Sequence, residues 1–165
     1  MDLARFWKHV RMTPLAAARC FPDATLDALQ REIAAAERTH GGEVVFVVES
    51  ELTTAQLWRG LTSRERAREV FAQQGVWNTE ENNGVLLYVL LAEHHVEIVA
   101  DRGIDARVAP GAWRAICDDI DRCFRDGRYR DGAVAGVRAI SALLAAHFPA
   151  SAERRNQLGD RPLMM

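Results

Sequence analysis

Three observations predict an α/β/α three-layer sandwich built on a small mixed sheet of about four strands. Two short runs, residues 44–48 and 85–91, are apolar at every position, the first of them rich in β-branched side chains, as expected of central strands covered by helices on both faces. The segments around them carry apolar residues at three- and four-residue spacing, which is helical. The chain has 165 residues, of which 48% are hydrophobic, enough to bury one sizeable core and too little for two.

Taken in order, residues 3–18 fit a short basic amphipathic helix that Pro14 interrupts, so residues 1–22 form a basic helical segment ahead of the domain proper. After Phe21 and Pro22, Asp23 or Thr25 can cap a helix reaching about residue 39, with Leu26, Leu29, Ile33 and Ala36 as its apolar stripe. Gly41 and Gly42 stop it ahead of the first strand. Thr62 and Glu65 have the spacing of a capping box for a helix through about residue 74, which turns Ala67, Val70 and Phe71 inward. Gly75 ends that helix, and the loop 76–84 leads into the second strand. Strand, helix, strand implies a right-handed parallel crossover.

Residues 96–99 alternate, which suggests a third strand with one wetter face, hairpinned to the second through a turn at Glu93 and His94. Pro110 suits the first position of a long helix carrying Trp113, Ile116, Cys117, Ile120, Cys123 and Phe124 inward and its aspartates mostly outward. Gly127 stops it. A last helix, about 131–147, turns Val134, Val137, Ile140 and Leu144 inward, with Gly132 and Gly136 leaving room for close packing. The domain thus spans 23–148, and 149–165 is a polar tail.

Composition narrows the function. With 21 basic and 23 acidic residues interspersed, the formal net charge of −2 creates no field for nucleic acid or an anionic membrane as a whole. The longest apolar run, residues 85–92, has eight residues, whereas a spanning helix needs roughly 20. The N-terminal stretch has no continuous apolar signal-peptide region, so a cytoplasmic protein without a transmembrane segment is expected. Cys20, Cys117 and Cys123 are odd in number and lack CxxC spacing, which favours free thiols over a disulfide framework or zinc knuckle. There is no phosphate-cradling glycine loop with lysine, no dinucleotide fingerprint and no GxSxG elbow. His94 and His95 read as a solvated turn, Asp119 and Asp121 as an exposed helix face, and Trp58, Trp77 and Trp113 as core or loop anchors.

Three separated segments, in this order, resemble the TPM domain family: Asn82, Asn83 and Gly84 leading into Val85, Leu86 and Leu87; the run 96–104 with Asp101, Arg102, Gly103 and Ile104; and Phe124 with Gly127, Tyr129, Gly132 and Gly136. The resemblance covers roughly 23–148 and extends, in a short stand-alone subgroup, to Phe21 and Pro22 and to a 156–162 tail. It implies a small sheet between helices and two crossing loops able to bind divalent cations. It also implies varied roles: one plant member of the thylakoid lumen is associated with acid phosphatase activity and photosystem repair. Membrane-anchored relatives carry a signal peptide and a C-terminal membrane helix, patterns not found in this sequence.

The residues offer matching chemistry. Glu80, Glu81, Asn82 and Asn83 precede one central strand, and Asp101 and Asp105 follow its hairpin partner, so both sets should reach the same end of the sheet. The candidate ligands are Glu81, Asn82, Asn83, Asp101 and Asp105. Their hard oxygens suit calcium first, with magnesium or manganese as alternatives, and loop carbonyls can complete the shell. The competing reading is structural: Asn83 and Gly84 make a turn with positive φ and the acids are solvated. Function is expected to be that of a metal-binding regulatory or protein-interaction module with an unidentified protein partner and no nucleic acid. The alternative is a metal-dependent phosphatase acting on phosphomonoesters, with Arg102 or Arg107 stabilising charge. No catalytic nucleophile or base is identifiable.

Overall fold

The computed structural model describes residues 2–150 and 157–165. In chain order its elements are α1 (Leu3–Arg11), α2 (Pro14–Cys20), α3 (Asp23–Ala36), β1 (Glu43–Glu49), α4 (Thr54–Trp58), α5 (Ser63–Gln73), β2 (Gly84–Leu90), β3 (His95–Ala100), α6 (Arg102–Asp105), α7 (Ala112–Arg125), α8 (Tyr129–His147) and β4 (Leu163–Met164). The sheet order is β3-β2-β1-β4. β1 runs parallel to β2, with Glu43 opposite Gly84, and parallel to β4; β2 and β3 are antiparallel, with Val85 opposite Ala100.

All seven positions of β1 and of β2 are buried, as their continuous apolar runs require. Alternate side chains feed two cores. Val44, Phe46, Val48, Val85, Leu87 and Val89 join Leu29 and Ile33 of α3, Ile120 and Phe124 of α7, and Val137 and Ile140 of α8. On the other face, Val45, Val47, Leu86, Tyr88 and Leu90 join Leu52, Leu57 of α4, and Ala67 and Val70 of α5. Two cores on opposite faces of one sheet make the predicted three-layer sandwich. Removing a fully buried side chain such as Leu87 would cost about 2–5 kcal/mol. A Cβ on Gly136 would come 2.4 Å from Ile120 Cδ1, which is why α7 and α8 approach so closely.

Two buried polar clusters pin the second face. Arg66 donates from Nε and Nη2 to the Glu49 carboxylate, and Tyr88 donates its hydroxyl to the same group. Ahead of the domain, α1 is tied to the turn between β2 and β3: Arg5 Nε and His9 Nε2 both reach Glu93 Oε1, at 2.7 and 2.9 Å. The Leu52 amide donates to His9 Nδ1 at 3.0 Å, so this nitrogen is the acceptor and the ring hydrogen sits on Nε2.

Several local expectations are corrected. The N-cap of α3 is Pro22, and no side chain caps it; Thr25 is instead buried within the helix. Pro110 lies outside α7, which begins at Ala112 after Gly111 adopts a left-handed conformation with φ +85. Trp58 is exposed rather than anchoring the core, while Trp77, also exposed, ties its loop to α5 by donating Nε1 to the Ala72 carbonyl at 3.3 Å. Asp121 is not on the open face of α7: burial pushes its carboxyl above the ordinary range. The capping box at Thr62, the Pro14 break and the positive-φ stop at Gly127 form as expected. Of the polar tail, residues 151–156 lie outside the described set.

Candidate metal centre

The 76–83 loop and the β3–α6 junction meet because β2 and β3 are antiparallel in the register that sets Gly84 opposite Asp101. The Asp101 amide donates to the Gly84 carbonyl at 2.9 Å, and the Ile104 amide donates to the Asn82 carbonyl at 3.2 Å. Glycine makes the approach possible. A Cβ on Gly103 would fall 2.5 Å from both the Glu81 and Asn82 carbonyl oxygens, and one on Gly84 would fall 2.1 Å from the Val76 carbonyl oxygen. The left-handed residue of the loop is Asn82, with φ +52, and not Asn83 or Gly84; Gly84 is required by proximity and lies in β2.

Asn83 is fully buried. Its amide donates to Thr79 Oγ1 at 3.0 Å, and its side-chain Nδ2 donates to the Gly41 carbonyl at 3.2 Å and to Glu81 Oε2 at 3.4 Å. These donations fix the orientation of the carboxamide and leave Oδ1 buried without a hydrogen-bond donor among the described residues. Asp101 caps α6 by accepting from the Arg102 amide on Oδ1, while its Oδ2 is likewise buried and without a donor. Two strongly accepting oxygens, one on each of the facing loops, are thus buried without a donor among the described residues, and a buried acceptor of this kind carries a desolvation penalty that a cation can offset.

The other expected ligands differ in environment. Glu81 and Asp105 are exposed, and Asp105 Oδ1 accepts from Trp113 Nε1 at 3.0 Å. Among the described residues, no three His, Cys, Asp or Glu side chains come together as a metal-holding group. The donor set on offer is therefore mixed: the Asp101 carboxylate, the Asn83 amide oxygen and loop carbonyls. Such hard oxygens suit calcium or magnesium.

A cleft of about 490 Å³ adjoins Glu81 and is lined by Arg107, His147, Phe148 and Pro149. Arg107 is already engaged there. Its Nη1 donates to the His147 carbonyl at 2.9 Å, and its guanidinium lies 4.4 Å from the Phe148 ring centre. Of the remaining groups, His94 is exposed in the hairpin turn and His95 at the start of β3, and the cysteines are free thiols. Burial pushes the Cys117 thiol up to about 12, which makes it a poor nucleophile.

The family model described as TPM domain matches residues 16–143. Among solved structures, the chain is similar to the NMR structure of BA42 protein from the psychrophilic bacterium Bizionia argentinensis, at 26% identity and a TM-score of 0.72, covering 86% of this chain and 93% of that one. It shares its fold with the N-terminal domain of a P. gingivalis protein solved by solution NMR, at 23% identity and a TM-score of 0.62, over 79% and 82% of the two chains. Comparison with curated proteins finds no match.

Proposed function

Because this chain belongs to the TPM domain family, we propose that it is a divalent-metal-binding regulatory or protein-interaction module acting in the cytoplasm. The observation that carries this reading is the pair of buried, donorless oxygens, Asn83 Oδ1 and Asp101 Oδ2, on two facing loops. Calcium is the preferred ion, and magnesium or manganese would use the same oxygens. Asp101 supplies the charge, Asn83 a preoriented amide oxygen, and the 81–82 carbonyls complete the shell. Glu81 and Asp105 stand at the rim, where carboxylates would raise affinity without being buried. Binding would join the loops, and the surface around Glu81 and Arg107 would become a fixed shape for a protein partner.

The phosphatase alternative finds less support in the geometry. Arg107 is held by the His147 carbonyl and the Phe148 ring, and among the described residues the hydrogen bond to the Asp101 side chain comes from a backbone amide. Arg102 contributes its backbone amide to the Asp101 carboxylate. The test is thermal: calcium should raise the melting temperature of chelator-treated protein, with linkage of about 2.7 kcal/mol at free metal near 100 times the dissociation constant. Indifference to millimolar calcium would sink the reading. Saturable phosphomonoester hydrolysis lost on chelation would move the phosphatase to first place.

A further inference from the structure

Helix α1 divides its apolar residues between two sides. Its inward side carries Phe6, packed on the second core, together with the polar His9, only 2% exposed, and Arg5, bound to Glu93. Its outward side carries Leu3, Trp7 and Val10, which are 66%, 59% and 50% exposed and share one helical face at i, i+4 and i+7. Trp58, 68% exposed at the end of α4, lines a cleft with Asp2 and Arg5 at the start of the helix, which adds a second exposed tryptophan near α1. Lys8 and Arg11 flank the stripe beside His94, and among the described residues neither is in an ion pair.

We propose that this face of α1, together with Trp58, docks the protein on an anionic lipid bilayer surface. A helix lies in a membrane interface when an apolar stripe with tryptophan enters the headgroup boundary and flanking cations meet anionic headgroups. α1 has these parts in that arrangement, and its buried polar anchor at Glu93 presents them without melting the helix. The stripe is short, about 13 Å of helix, and its cations offer charge complementarity to anionic headgroups. A second copy is a poorer occupant. Two-fold pairing would gather Lys8 and Arg11 from both chains, and α1 itself offers them no acidic residue beyond its cap Asp2, which is engaged by the Ala4 and Arg5 amides. The charge of the whole chain is near zero, so attraction is local to this face.

The experiment is co-sedimentation of the full chain with vesicles of phosphatidylcholine alone or mixed with phosphatidylglycerol, in chelator, so that the outcome is separate from metal binding at the loops. Association with the anionic vesicles should be about tenfold stronger than with neutral ones and should weaken with salt. Trp7→Ser should lower binding to both, and the double variant Lys8→Gln with Arg11→Gln should remove the preference for anionic lipid. These side chains are exposed, so all variants should melt with the parent. Failure of the folded parent to sediment with anionic vesicles, or equal binding by both variants, overturns the proposal. A concentration-dependent dimer in the absence of lipid, dissolved by Trp7→Ser, overturns it in favour of a second copy.

Discussion

Arg66 holds Glu49 by Nε and Nη2, each within 2.9 Å of a carboxylate oxygen, in the layer between α5 and the sheet. The pair is enclosed, and the Tyr88 hydroxyl donates to the same carboxylate. Burial of the Tyr88 phenol and its bond to Glu49 push its pKa upward, so it remains a donor throughout the accessible pH range. Arg66→Met would strand a buried carboxylate and should cost about 3–5 kcal/mol, lowering the melting temperature by about 10 °C. Adding Glu49→Leu should restore much of the loss. A double variant as unstable as Arg66→Met alone would assign the cost to packing.

Gly103 should tolerate no side chain. A Cβ there would overlap two backbone oxygens, which cannot rotate away, so Gly103→Ala has to separate the loops. The expected loss is about 1–3 kcal/mol in chelator. If the proposed calcium site is formed, the variant should also lose the calcium-induced rise in melting temperature, because separating the loops moves the 81–82 carbonyls away from Asp101. A variant that melts with the parent would show that the junction relaxes freely.

Asp101→Asn should separate the metal role from the fold. Asparagine keeps the cap on the Arg102 amide and the shape of the side chain, while the negative charge is removed. Calorimetry should find calcium affinity reduced at least tenfold, with the melting temperature in chelator unchanged or raised. Unchanged affinity would take Asp101 off the ligand set.

Glu93 should make the attachment of α1 sensitive to acid. Burial raises its pKa, but hydrogen bonds from His9 and Arg5 and the charge of Arg5 outweigh this and leave it below the ordinary carboxylate range. A depressed folded value means the stabilisation is complete above the unfolded pKa, about 4.3, and is lost as pH falls through the folded value. Glu93→Gln should therefore cost about 1.5–3 kcal/mol at neutral pH and flatten the decline in melting temperature below about pH 4.3. An unchanged decline would place the acid-sensitive group elsewhere.

The central strands and most helices were legible because their signals are local. An unbroken apolar run needs cover on both faces, and Thr62 with Glu65 closes a helix start within one turn. Convergence of the two loops followed from the antiparallel hairpin alone. What the sequence withheld depends on long-range matching. Leu163 and Met164 form a strand too short to have a period, and Arg66 gave no sign among neighbouring charged residues that its partner is Glu49. The N-terminal pattern marked an amphipathic helix correctly, but only the Glu93 contact decides which of its faces meets the protein. Asn82 rather than Gly84 takes the positive φ because Gly84 is already committed to the ladder.

The last strand has a consequence for self-association. β4 covers only the end of β1, where the Met165 amide donates to the Val48 carbonyl and the Ser50 amide donates to the Met165 carbonyl, while the Glu43 carboxylate at the other end receives the Gln157 and Leu158 amides. Both ends of an otherwise fully apolar strand are thus closed by the tail. Displaced from that position, it would expose the Val48 carbonyl and the Ser50 amide at the edge of the sheet, where a strand of another chain could pair.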